Sequence, residues 1–229
     1  MSIATAFKRL HYPTDVIAQC VRWYLAYSLS LRNLEEMMAE RGIHVDHSTL
    51  HRWILKITPI FNKIALKYKK HVQQFWHMDE TYIKIKGQWY YLYRAIDRQG
   101  KTVDFLLTKR RDMKAARRFF KNAMSKHACP IKVTIDKSGV NKKAIESFNI
   151  GFTAFKPIKI RQNKYLNNRI EQDHRFIKKR VRAMLGFKSF RSAQIILSGI
   201  ELMHMLRKEQ FNLSKEFQNT LGLLCPKFE

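Results

Sequence analysis

Apolar residues recur at helical spacing over the first sixty positions and at strand spacing over the next forty, so the chain changes character near residue 70. In "TDVIAQCVRWYLAY" (14–27), Val16, Ile17, Cys20, Val21 and Tyr24 share one stripe and Asp15 falls in the first turn, which predicts a helix. The stretch "SLSLRNLEEMMAERGIHVDHSTLHRWILKI" predicts two more. The first is capped by Ser30 and runs to about Arg41, with Gly42 as its left-handed stop. The second starts at Asp46 or Ser48 and runs through Ile57, with Leu50, Trp53, Ile54 and Ile57 facing inward. Two helices joined by a glycine-containing turn form the helix-turn-helix pattern. The early turns of the second helix present His47, Thr49, His51 and Arg52 outward, the part that meets base edges in such modules. An ordinary helical hairpin would have the same pattern.

From residue 75 the period shortens to two. "FWHMDETYIKIKGQWYYLYRAIDRQGKTVDFLLT" breaks at Lys86-Gly87 and at Arg98-Gln99-Gly100, which predicts three antiparallel strands joined by tight turns. An amphipathic helix over 112–127 follows, then a short buried strand "IKVTID" (131–136). A helix over "NKKAIESF", a short strand "GFTAF" (151–155) and a basic loop over 156–167 come next. Two longer helices, 168–185 and 190–209, close the pattern. The order βββαβαβα predicts an α/β fold: a mixed sheet with helices on both faces, the order of ribonuclease-H-like domains, preceded by the helix-turn-helix and followed by extra helices.

Charge changes the picture. There are 44 Lys and Arg against 18 Asp and Glu, a net +26. Such an excess repels itself and implies a polyanionic partner. No apolar run reaches the ~18–20 residues of a spanning helix, and "MSIATAFKRLHYPTD" lacks a signal peptide's apolar stretch, so nucleic acid is favoured over a membrane. Residues 156–209 carry the densest excess, 14 basic against 4 acidic. Cys20, Cys129 and Cys225 form neither a disulfide framework nor a zinc pattern, and free thiols in a reducing cytoplasm are expected.

Against this background three acids stand out. Asp79 lies in the first strand, Asp136 closes the fourth, and Glu171 lies in the first turns of the helix after the fifth, with 34 residues between it and Asp136. The expected order makes the first and fourth strands neighbours, with the helix of Glu171 packed across their edge. Converging carboxylates repel, and oxygen-only donors suit Mg²⁺ or Mn²⁺. Two such ions about 3.5–4 Å apart serve in-line phosphoryl transfer. Arg175 and Lys178 share the helix face of Glu171 and are candidate phosphate clamps. Each acid alone reads equally well as a solvated or ion-paired surface group, as the nearby Glu80 and Asp173 illustrate.

Weaker signals remain open. His47 and His51 have a zinc-compatible spacing but no third ligand nearby. Trp89, Tyr90, Tyr91 and Tyr93 read as strand packing or as a stack for an unpaired base. "KRR" (109–111) is a phosphate-contacting loop or a solvated cluster. Leu202, Met203, Met205 and Leu206 read as packing.

The segments "WHMDETYIKIKGQWYYLYRAID", "TIDKSG", "KYLNNRIEQDHRFIKKR" and "LGFKSFRSAQIILSGIELMHMLRK" closely resemble the bacterial DDE transposases of the IS-six insertion-sequence family, over nearly the whole chain to about Gln210. The resemblance implies Asp79, Asp136 and Glu171 as the catalytic, metal-binding triad, with Lys178 as the basic residue seven positions on. It implies an enzyme, active in the bacterial cytoplasm, that binds terminal inverted repeats, nicks there to free a 3′ hydroxyl and joins it to target DNA with Mg²⁺ or Mn²⁺. An oligomer, at least a dimer, is implied by the two ends to be handled. The expected domains are 1–70 (helix-turn-helix), 71–210 (catalytic) and 211–229 (tail). Two alternatives are a DNA-binding regulator with a silent nuclease-like domain, and a nuclease that cuts without joining.

Overall fold

A computed structural model describes residues 7–137, 139–151, 157–162 and 167–212. In chain order the elements are α1 (Thr14–Ala26), α2 (Leu31–Ala39), α3 (His47–Ala65), β1 (Phe75–Ile85), β2 (Gln88–Asp97), β3 (Thr102–Thr108), α4 (Met113–Lys126), β4 (Lys132–Ile135), α5 (Gly139–Gly151), β5 (Lys159–Gln162), α6 (Asn168–Ala183) and α7 (Phe190–Arg207). The chain divides into two compact units, one of residues 1–70 with 177–229 and one of residues 71–176. The boundary between residues 176 and 177 falls inside α6, and residues 177–210 group with the N-terminal helices. Of the expected tail, 211–229, only Phe211 and Asn212 lie within the described residues.

The helical unit is built by caps and stripes. Ser30 and Asn33 form a reciprocal capping box at the start of α2. Gly42, at φ +71°, ends that helix, and the Ile43 amide donates back to the Met38 carbonyl at 3.0 Å. Asp46 caps α3 by accepting from the Ser48 and Thr49 amides. That helix runs eight residues past the expected end at Ile57, through Pro59. A proline inside a helix costs about 3 kcal/mol in lost hydrogen bonding and clash. The stripe Ile54, Ile57, Phe61 and Ala65 stays fully buried along the extension, and that packing offsets the cost. α7 lies against α1 and α3 at Gly199, where an added Cβ would come within 2.7 Å of Leu25 and of Thr58. Leu202, Met203 and Met205 are buried in this core.

The second unit is a five-stranded sheet of order β3-β2-β1-β4-β5. β1, β2 and β3 pair antiparallel, while β4 and β5 run parallel to β1. This is the ribonuclease-H-like arrangement that the element order implied. Trp76, Met78, Tyr93, Ala95 and Val133 on one face pack against Ala116, Phe119 and Phe120 of α4 and Ala144 and Ile145 of α5. The expected strand at 151–155 lies, apart from Gly151 at the end of α5, outside the described residues. The described fifth strand of the sheet is Lys159–Gln162, within the stretch expected to be a loop. It is a largely exposed, basic edge strand, so no alternation of apolar residues marks it.

Candidate active site

The ladder between β1 and β4 pairs Trp76 with Val133 and His77 with Thr134, then stops. Counting on in the same register brings Asp79 level with Asp136, the residue after the end of β4. Successive residues of a strand point to opposite faces. Asp79 therefore faces one side of the sheet and Glu80 the other, and both reach round the free edge of β1 just past β4. One carboxylate oxygen from each of Asp79, Glu80 and Asp136 lies within 4.8 Å of the others.

On the face of Asp79, a buried chain of contacts ties the strands to α6. Arg94 of β2, paired across the ladder with Asp79, is fully buried and donates to Asp173 Oδ2 at 2.7 Å. Its other terminal nitrogen lies 3.3 Å from His174 Nδ1, and His174 Nε2 lies 3.3 Å from Asp79 Oδ2. A guanidinium only donates. Nδ1 of His174 is therefore the acceptor, and Nε2 carries the hydrogen that it donates to Asp79. The Asn167 side chain, just before α6, donates to the Met78 carbonyl at 3.2 Å.

On the opposite face, Arg111 reaches Glu80 Oε1 with Nε at 3.3 Å, and Asp136 Oδ2 with Nη2 at 3.4 Å. The Glu80 side chain is only 4% exposed. Burial, the largest effect, raises its pKa and the charge of Asp79 adds to the rise, while Arg111 opposes it. Beside it, the Tyr93 hydroxyl is buried without a hydrogen-bond partner, and the buried Asn141 side chain helps to hold the Glu80 carboxylate. Unpaired buried polar groups are uncommon and call for a ligand or solvent partner. Three convergent carboxylate oxygens with these groups behind them fit a hard divalent cation and its hydration shell.

The other expected residues lie as follows. Glu171 is in the first turn of α6, exposed, one turn before His174, and is not among the three converging acids. Arg175 and Lys178 are exposed on α6. On α3, His47 is exposed and its Nδ1 lies 3.2 Å from Glu35 Oε2. The Thr49 hydroxyl donates to Asp46 at 2.7 Å and accepts from Arg52 at 2.7 Å. His51 is half-buried, and burial together with Lys188 lowers its pKa. Glu80, Arg94 and His174 were not among the expected site residues, and Arg111, expected within the KRR stretch as a phosphate contact or a solvated charge, pairs with Glu80 and Asp136. Arg94 had a signal, being a cation between apolar neighbours in "YLYRAID", where an inward position calls for an apolar side chain.

The sequence matches the model of a DDE domain over residues 73–210. The chain belongs to the DDE transposases. A second model, of the Transposase IS66 family, matches residues 9–130. The transposase is 42% identical to the transposase for the insertion sequence-like element IS431mec of Staphylococcus aureus over 207 residues, covering 89% of each chain. It is 41% identical, over the same share, to the transposase for insertion sequence element IS257 in transposon Tn4003 of the same species. These relatives place it in the IS-six insertion-sequence family. The catalytic core domain of HTLV-2 integrase also matches, at 18% identity and a TM-score of 0.42, covering 57% of this chain and 85% of that one. The transposase is thus a metal-dependent enzyme that cuts and transfers DNA strands. Among the described residues, no helix is long and apolar enough to cross a membrane.

Proposed function

We propose that this transposase uses Asp79, Asp136 and Glu171 as its catalytic carboxylates, with two Mg²⁺ or Mn²⁺ ions as cofactor. The observation that carries the reading is the meeting of Asp79, Glu80 and Asp136 within 4.8 Å past the end of β4, inside the matched DDE domain. When bound, such ions neutralise charge at the phosphate and ease in-line displacement. The residues of the chain supply position. His174 holds the Asp79 carboxylate through its Nε2 hydrogen, and Arg94 fixes that imidazole. Glu171 precedes His174 by one helical turn, so the docking of His174 keeps the stripe of Glu171 turned toward the same strand. Arg175 and Lys178, exposed along that helix, clamp the DNA backbone.

The reaction begins with water attacking phosphorus at the end of the element. The P–O3′ bond breaks and leaves a 3′ hydroxyl. That hydroxyl then attacks a target phosphodiester, forming a new P–O bond as the target's own P–O3′ bond breaks. His47, Thr49, His51 and Arg52 of the α2–α3 hairpin read the terminal inverted repeats. Two ends are handled by a homo-oligomer, at least a dimer, in the bacterial cytoplasm.

Purified protein mixed with Mg²⁺ or Mn²⁺ and a labelled inverted-repeat duplex tests this. Nicked and joined strands should form with the native protein and disappear with Asp136→Asn, while duplex binding survives. Equal activity in the variant would remove Asp136 from the chemistry. Nicks without joined product would point to a nuclease that cuts only.

A further inference from the structure

The β1–β2 hairpin carries large aromatic rings in the open. Its register pairs Tyr82 with Tyr91 and Lys84 with Trp89, so these four side chains share one face of the ribbon. That face is also the one of Glu80 and Tyr93, one pair further back. Tyr82 is 51% exposed and Trp89 60% exposed. Their rings meet edge to face, with centroids 6.2 Å apart at 78°. Tyr82 and Tyr91 lie 5.3 Å apart, and Lys84 Nζ sits 5.7 Å from the centre of the Trp89 ring. Tyr93, on the same face, is fully buried and in contact with Phe119. Full burial on this face ends at Tyr93; Tyr91 still packs partly against the core, and the rings of Tyr82 and Trp89 beyond it are presented outward.

Two residues along a strand span about 7 Å, so the rings begin one such step from Glu80 in the acidic cluster. Neighbouring exposed aromatic rings at the rim of an acidic cluster are a candidate surface for interaction. Lys84 and Lys86 flank it, and both are exposed. Lysine is depleted in protein–protein interfaces, and a second copy of this chain would bring the same +26 charge. A nucleic-acid strand meets both features, since every base offers a π-face to stack on and every phosphate a charge to neutralise. We propose that the Tyr82–Trp89 face of the β1–β2 hairpin is a stacking platform for an unpaired base next to the phosphate being cut. The platform rests on the active-site reading above, because its value lies in that proximity.

The test is a binding measurement on the full chain without divalent ions, so that no strand is cut. Duplexes of the terminal repeat are compared blunt, with a short 3′ flank and with a short 5′ flank, each flank carrying 2-aminopurine. The native protein should quench the probe on one flank and bind that duplex about 5- to 150-fold more tightly than the blunt one. Trp89→Ala should lose both effects and Trp89→Phe, which keeps a ring, should retain them. The side chain of Trp89 is mostly exposed, so unchanged thermal midpoints are expected in both variants. No quenching by the native protein, or quenching undiminished in Trp89→Ala, would overturn the proposal. A Trp89→Ala variant that falls to a smaller oligomer by light scattering would overturn it too, by marking the face as a contact between copies. The metal-dependent nicking assay with Asp136→Asn is scored separately. Its failure with the stacking result intact would sink the catalytic reading, and the reverse would sink only the platform.

Discussion

Arg94 is the residue on which both the stability and the chemistry of the sheet turn. It is fully buried, its countercharge is Asp173, and its second contact sets the tautomer of His174. Removing one partner of a buried ion pair leaves the other charge uncompensated, at a cost of about 3–5 kcal/mol. Asp173→Ala should therefore lose that much stability in urea unfolding. In the double variant Arg94→Met, Asp173→Ala no charge is left stranded, and most of the stability should return. His174 would still lack the donor that fixes it, and such supporting contacts are worth about 10–100-fold in metal affinity. The double variant should bind Mn²⁺ that much more weakly by electron paramagnetic resonance. Native affinity there would show that the chain from Arg94 to Asp79 is scaffolding only. This polar layer was the least legible part of the sequence. Asp79 and Asp136 could be singled out as strand aspartates in a basic chain. The histidine beside Asp173 and the arginine in β2 gain meaning only once α6 is laid on the sheet, and no spacing along the chain encodes that juxtaposition.

At the scale of elements, helices and hairpins were legible wherever side-chain periodicity and turn chemistry agreed. Ser30, Gly42 and Asp46 mark their boundaries by local hydrogen bonding, which a sequence states directly. Two elements departed from expectation because tertiary contacts set them. α3 continues through Pro59 on the strength of its buried stripe, and β5 forms from polar residues because β4 offers it an edge to pair with. Gly199 shows the same dependence in α7. A glycine in mid-helix gives up about 1 kcal/mol of propensity relative to alanine, and here it lets the helix approach Leu25 and Thr58. Gly199→Ala regains the propensity but forces a methyl group to within 2.7 Å of both neighbours. Overpacking of this kind costs about 1–3 kcal/mol, so the variant should melt lower than the native protein. An unchanged or higher melting temperature would mean that Leu25 and Thr58 give way freely.

The whole molecule carries a net +26 on 229 residues, a surplus that opposes compaction unless a polyanion shares it. A protein that makes six to ten phosphate contacts loses roughly 10³–10⁵ in affinity between 50 and 200 mM salt, through counterion release. The transposase should show that steepness on any duplex, with the terminal repeat adding a component that salt alters less. The two classes of residue proposed to meet DNA are then separable. Lys178→Ala removes a phosphate contact, so affinity should fall alike on every sequence and the salt slope should drop by about one. Arg52→Ala removes a residue placed to read bases. It should narrow the gap between repeat and random duplex by about 1–3 kcal/mol, as loss of one base contact does. Arg52 already donates to Thr49, which Asp46 holds in turn, so its guanidinium is pre-set at the start of α3 rather than free to sample. A titration series at several salt concentrations, on both duplexes and with both variants, decides the matter. If Arg52→Ala lowers affinity equally on both duplexes with a shallower slope, the α3 residues are backbone clamps and recognition of the element's end lies elsewhere on the chain.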